Sequence, residues 1–271
     1  MFNFKRIIQV TYPQYCNLDF AIELTLKNVG ALTIVNGHPT VRVTAANFQV
    51  VNGRGNTDSA DGLGNLIVGY DETRPDDAGP SCSKLVNGDI ANQAACAAAG
   101  GIYAKDQKTG SHNLIVGMRH NYVSYGGVVF GTQNSILEAY ASVTGGQQNI
   151  AGGPLANISG GKSNVASGLS SSVLGGFANR VHGGTATVSG GEFGNAIGAA
   201  SSITGGERNV ASGDLSTVTG GYQNEAVGVA SVVTGGAAND SRAYGSVVSG
   251  GLNRAVEVEY SWRAGDAYYP Q

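Results

Sequence analysis

Residues 202–228 read "SITGGERNVASGDLSTVTGGYQNEAVG" and say nearly the same thing twice. "SITGG" is followed by "NVASG", and then "TVTGG" by "NEAVG". The doubling belongs to a longer series. Gly-Gly pairs begin at 145, 160, 175, 190, 205, 220, 235 and 250, always fifteen residues apart. A fixed period kept over eight copies predicts a solenoid, in which no copy buries its apolar face alone and each stacks on the next.

Aligning the copies gives columns. Ahead of each Gly pair by two residues stands an unbroken β-branched column, Val143, Ile158, Val173, Val188, Ile203, Val218, Val233 and Val248. Ser or Thr follows it in every copy except at Leu174. An asparagine column (Asn149, Asn164, Asn179, Asn209, Asn224, Asn239) comes next, then small alanines and a second glycine column from Gly153 to Gly228. β-branched residues suit strands, and polar–apolar–polar alternation sends one side chain inward and its neighbours outward. Fixed glycines supply backbone angles other residues avoid, and asparagine can bond its counterpart in the next coil. Each copy therefore reads as strand, turn, strand, turn. "NLIVGMRHN" and "GGVVFGTQN" read as two further coils upstream, at a pitch of fourteen. A helical reading fails, because two glycines per repeat would cost about 2 kcal/mol in helix propensity. One Val/Ile and one Ala per coil bury little surface, which predicts association of chains, read here as a homotrimer.

Composition bounds the function. Charged residues are 13% of the chain, against the ~25% usual in soluble domains, and the net charge is −3. Five Lys/Arg and five Asp/Glu are spread over residues 141–255, with no basic stripe for phosphates, so no nucleic-acid partner is expected. No apolar run is long enough for a transmembrane helix, and the N-terminal stretch lacks the apolar core of a signal peptide. Cys16, Cys82 and Cys96 have no metal-ligand spacing. Cys82 and Cys96 flank a small loop and are read either as a disulfide or as two free thiols.

"NLIVG" occurs at 65–69 and again at 113–117, and the polar stretch between them reads as an insertion looping out of the solenoid. The organisation expected is an N-terminal segment (1–40, helix or strand, a neck or assembly element), a first part of the roll (41–70), the insertion (71–109), the repeats (110–255) and a C-terminal cap (256–271). Within it, Thr40–Val51 alternates like a strand, and Leu18–Val29 suits either strand or short helix. Trp262, the sole tryptophan, is expected to cover the last coil. Asp71, Glu72, Asp76 and Asp77 lack EF-hand spacing and read as a solvated acidic loop.

The repeat "SITGGERNVASG" resembles the head repeats of trimeric autotransporter adhesins, the YadA-like left-handed parallel β-roll. The longer run "GLGNLIVGY…TGSHNLIVGM…SYGGVVFG…ASVTGG…SWRAG" is similar to a group of uncharacterised bacterial β-roll proteins, over about 41–265. The resemblance implies an all-β, left-handed β-solenoid with 15-residue coils. It also implies a trimer at the cell surface or in a fibre that contacts a glycan or surface protein. No family binding residue carries over, since the head motifs are structural. The chain departs from the family in showing neither anchor strands nor a coiled-coil stalk.

No enzyme and no cofactor are expected. His38, His112, His120 and His182 have no nucleophile or carboxylate in a repeated geometry and read as surface histidines. The position after the Gly pair holds Gln147, Lys162, Phe177, Glu192, Glu207, Tyr222, Ala237 and Leu252, a mixture that points to solvent. Phe177, Phe193, Glu207, Tyr222 and Tyr244 form the candidate ligand-contact surface, because exposed aromatics stack on sugars or meet protein. Two alternatives stand beside adhesion: an ice-binding solenoid using the Ser/Thr columns around Val/Ile, which hold one full Thr pair (Thr217, Thr219), and a purely structural fibre subunit.

Overall fold

A computed structural model describes residues 33–35, 38–40, 47–75, 81–86, 88–90 and 92–265. The chain divides into two compact units, Met1–Gln49 and Val50–Gln271. In the first, β1 (Thr33–Val35) and β2 (His38–Thr40) form an antiparallel hairpin. The expectations for 18–29 and for most of 1–40 lie outside the described residues, as do 41–46. Residues 47–51 are not in a strand, so the alternation read from Thr40 to Val51 does not carry through as one.

The second unit is a β-solenoid of about ten turns. Its first sheet has twelve parallel strands and its second has ten. β3 (Leu66–Val68) opens the first sheet and pairs with β8 (Leu114–Met118) in the register Ile67↔Ile115. The two "NLIVG" segments are thus adjacent strands, and the chain between them leaves the solenoid and returns. β8 pairs with β10 (Val128–Thr132), and then Val129 with Val143, Val143 with Ile158 and Ile158 with Val173. The second sheet begins at β9 (Asn121–Tyr122) and β11 (Ser135–Ile136) and continues through Ala151, Ala166 and Val181. A third ladder of single bridges runs from Thr132 and Gln147 to Leu252, along the turn after the Gly pairs. Twelve strands at ~4.8 Å give a stack about 50 Å long.

The interior is a set of columns. The Val/Ile column and the Ala column are fully buried, and they meet across a coil too thin for anything larger. The asparagines are buried too, and they are the polar spine. Asn164 N–H donates to Asn149 Oδ1 (3.0 Å), and its Nδ2 donates to Gly160 O and Gly176 O (3.1 Å each). Each asparagine therefore ties its own turn to the neighbouring coils. At Gly194 a link is missing: Gly194 N–H still donates to Asn179 Oδ1 (2.8 Å) but has no amide to pass on.

Glycines divide the labour differently from the sequence reading. The second Gly of each pair has left-handed φ, +82° at Gly206, where a Cβ would also lie 2.2 Å from Gly221 O. The Gly153 column is not left-handed; it is glycine because a Cβ there would lie 2.3 Å from Gly168 O. Left-handed φ falls instead on two columns of ordinary residues, among them Ala178, Phe193 and Arg208 in one turn and Leu155, Ser170 and Leu215 in the other. Their N–H groups are held by the preceding coil, as Ser163 by Gln147 O (3.0 Å) and Leu155 by Ala139 O (3.0 Å).

The insertion is itself folded. β4 (Ser81–Cys82) pairs antiparallel with β7 (Tyr103–Ala104), and β5 (Leu85–Val86) with β6 (Asp89–Ile90). Helix α1 (Gln93–Ala98) is capped by Asn92, whose Oδ1 accepts from Ala95 N–H (2.9 Å). A disulfide joins Cys82 to Cys96 in its small core. Its root is fixed by Arg74, which reaches Gln133 O (3.0 Å) and Ser135 Oγ (2.7 Å).

At the far end the coils continue past 255. Val256 extends the inward column, and Trp262–Arg263 pairs with Val247–Val248. Trp262 does not cover the coil: it stands in an outward position, 67% exposed, with Nε1 donating to Ser249 Oγ. The period of alternation decides this, since Trp262 aligns with outward Val247 and not with inward Val248.

Three substitutions test the columns by denaturant unfolding. Asn179→Ala removes a buried donor and acceptor and lowers stability by about 2–4 kcal/mol. Gly194→Asn completes the spine and raises it by about 1 kcal/mol. Gly206→Ala costs about 3 kcal/mol or more.

Candidate ligand-contact surface

The mixed column after the Gly pairs lies along one turn of the solenoid, with the left-handed column beside it. This ridge is exposed. Phe177 and Phe193 meet edge to face, ring centroids 5.4 Å apart at 85°. Their contact follows from the ladder: Phe193 N–H donates to Phe177 O (3.0 Å), so the second ring stands one coil on and one residue over. The left-handed backbone at Phe193 (φ +56°) turns its ring outward. Arg208, in the same column one coil further, places its guanidinium 5.4 Å from the Phe193 centroid. The same group pairs with Glu207 and reaches the Tyr222 hydroxyl at 3.5 Å.

Four of the five candidate residues, Phe177, Phe193, Glu207 and Tyr222, therefore form one patch. Tyr244 does not belong to it. It lies on the opposite turn, edge to face with Tyr260 at 5.3 Å. Arg208 is the member that sequence reading missed. Its sign was its place one residue after Glu207, in a column whose left-handed backbone only the structure reveals. The patch is electrically balanced, since Arg208 faces Glu207. It offers π-faces, one guanidinium and hydrogen-bonding groups.

Two of the histidines, His120 and His182, are placed otherwise than expected. His120 is not on the surface: it is buried and takes the first place in the asparagine spine. Nδ1 accepts from Asn134 N–H (3.2 Å) and Nε2 donates to Val116 O (3.2 Å). Burial, and secondarily the Arg74 charge, holds this ring below its ordinary pKa against hydrogen bonds that act the other way. His182 is half-buried on the second sheet, with Nδ1 3.0 Å from Ser167 Oγ. Asp71 is not a free acidic group, since it accepts from Tyr122 OH (2.9 Å) and pairs with Lys108 Nζ (3.0 Å). Among the described residues no cluster of His, Cys, Asp and Glu is arranged to hold a metal ion.

The chain matches no protein-family model, and no curated protein sequence matches it.

The His120 geometry sets a pH dependence. Burial holds the pKa of the folded ring below that of the unfolded ring, which takes a proton near 6.5. The unfolded state therefore binds more protons below that pH, and stability falls on acidification by up to about 1.4 kcal/mol per pH unit. Denaturant titrations between pH 7.5 and 5 measure it, and His120→Asn, which restores the spine without a titrating group, flattens that part of the slope.

Proposed function

We propose that the chain is a non-enzymatic head or fibre element: a left-handed β-roll of 15-residue coils that assembles as a homotrimer outside the cell and presents its aromatic ridge to a glycan or surface protein. The observation that carries the reading is the first glycine of each pair. The repeats act as internal replicates, and an invariant column among diverged ones calls for a cause. The second Gly, the Gly153 column, the Asn column and the core columns each have one inside the chain. The first Gly has one only at the ends of the series, where a Cβ on Gly145 would lie 3.3 Å from Ser159 O and Gly250 is left-handed (φ +125°). At Gly160, Gly175, Gly205, Gly220 and Gly235 a Cβ would meet nothing within 4 Å, and their φ is not left-handed. A requirement that is not internal points to a surface that comes close from outside.

The adjoining face supports the same idea. The twenty outward positions flanking the first sheet's core column, from Leu114 to Ser249, carry no charge at all, in columns such as Ser142 and Thr144 or Thr217 and Thr219. The other sides bear Lys162, Arg180, Glu192, Glu225 and Arg242. A flat, uncharged, glycine-edged face on a thin core is suited to packing against a second copy. The Cys82–Cys96 bridge favours an oxidising compartment.

The same uncharged face favours one other reading, ice binding, through its ordered hydroxyl and methyl columns. Thermal hysteresis at micromolar protein would support it, and ordinary freezing would count against it.

Light scattering tests the assembly. Wild-type protein is expected at three times the chain mass, and Gly205→Gln with Gly220→Gln at one, with unchanged circular dichroism. A monomeric wild type sinks the trimer. For the ridge, a glycan and matrix array gives binders whose affinity falls about tenfold in Phe193→Ala or Tyr222→Ala and is unaltered in Tyr244→Ala. An array without hits argues against adhesion.

A further inference from the structure

The second sheet does not have one character along its length. Its outward positions are buried at Asn121, Ser135 and Val165, half-exposed at Ile150, and half-exposed or exposed from Arg180 onward. The change coincides with the reach of the folded insertion, which returns over these coils. Two close approaches define its seat. Leu85 packs so near Gly152 that a Cβ there would lie 2.2 Å from Leu85 Cδ1. Gly88, in the β5–β6 hairpin, sits so near the next two coils that a Cβ on it would lie 2.2 Å from His182 Nδ1 and 2.8 Å from Ser167 Oγ.

The seat is specific to this place. Position 152 belongs to a column that reads Leu137, Gly152, Ser167, His182, Ile197 and Ser212. Glycine occurs in that column where Leu85 sits; in the hairpin, Gly88 meets the imidazole and is also left-handed (φ +82°), so the turn favours glycine as well. Ser167 Oγ lies 3.1 Å from Val181 O as well as 3.0 Å from His182 Nδ1, so the hydroxyl and the ring form a short relay beneath the hairpin. Protonation would put a positive charge in this covered position, two residues after Arg180 and just past the end of the strand Arg180–Val181.

We propose that the disulfide-stapled insertion is a removable cover of the second sheet, seated by Gly88 on Ser167 and His182 and released when the His182 ring takes a proton. Release uncovers the coil positions on which Leu85 and Gly88 now sit, Gly152, Ser167 and His182. The charges bearing on the switch can be named. Arg180 opposes the imidazolium from the strand that the ring follows. The coil on one side brings Ser167 and the coil on the other Asn195 and Ile197, none of them charged. Asp89 follows Gly88 in the hairpin sequence. Burial first, and Arg180 second, hold the docked ring below its ordinary pKa of 6.5. The docked state thus binds fewer protons than the released state. Docking is complete above 6.5 and weakens by up to about tenfold per pH unit below it, until the docked ring itself titrates.

Hydrogen exchange on the full chain, corrected for the intrinsic pH dependence of amides, reads the cover directly. Protection of the β5–β6 hairpin is expected to fall at least tenfold between pH 7.5 and 5, while protection from Ser202 onward holds. In His182→Asn the hairpin's protection is expected to be independent of pH, and in Asp89→Asn the wild-type dependence remains. Should His182→Asn fail to seat the hairpin at any pH, exchange at the imidazole C2 position in wild-type protein gives the ring's pKa without a mutation. A flat wild-type profile, an equal slope in His182→Asn, or a ring pKa at or above 6.5 overturns the proposal.

Discussion

Backbone packed directly on backbone is the constraint from which the rest of this solenoid follows. At the second glycine of each pair, the carbonyl of the next coil occupies the space a Cβ would need, 2.1–2.3 Å away from Gly131 to Gly236. Coils can approach to sheet spacing there only if no side chain intervenes. Once they do, the buried asparagine bridges three successive turns with a single amide, and its hydrogen bonds satisfy backbone groups that the thin interior would otherwise leave without partners. The apolar columns then need only Val, Ile and Ala. The spine and the glycines set the pitch, and the small core follows from it.

That constraint also explains how ordinary residues hold a left-handed backbone. A non-glycine residue there costs of order 1 kcal/mol, and two such columns run the length of the stack. Each is over-determined by its neighbours, because the coil before it supplies a carbonyl for its N–H in every turn. The strain is distributed and repeated, and it turns Phe193 and Arg208 outward on the ridge. The candidate ligand surface is thus a by-product of the same ladder that closes the coil.

The solenoid was legible in the sequence because its causes are periodic. Val143, Asn149 and Gly146 recur for reasons that act on side-chain type, and eight copies print them as columns. The pairing of the two "NLIVG" strands across an insertion was legible for the same reason. What lay hidden had no compositional mark. Ala178, Leu155 and Phe193 do not advertise left-handed angles, so Arg208 could not be placed beside Phe193. His120 in the spine breaks the asparagine pattern by one residue type and one residue of pitch, which made it look like a surface histidine. Trp262 was read by its size as a cap, whereas its place in the two-residue alternation put it outside. The insertion's seat involves Gly88, Gly152 and His182, three positions far apart in sequence and unrepeated, and no periodic signal joins them.

The copies within one chain have diverged freely at the ridge, where Lys162, Phe177, Glu192 and Ala237 share a column, so descent from one ancestor does not by itself preserve a residue type. Each invariant column should then answer to a force. A steric force accounts for the second Gly and the Gly153 column, a hydrogen-bond force for asparagine, and exclusion of water for Val/Ile and Ala. From Gly160 to Gly235 the first Gly has no left-handed φ, and a Cβ on it would meet nothing closer than Thr204 O, 4.0 Å from Gly190, so none of these forces acts on that stretch of the column within the chain. It stands at the edge of the one side that carries no charge. Selection for the absence of a side chain, beside a face with no ions to desolvate, is what close contact with another flat surface requires. On the proposed reading, that surface is a second copy of the chain.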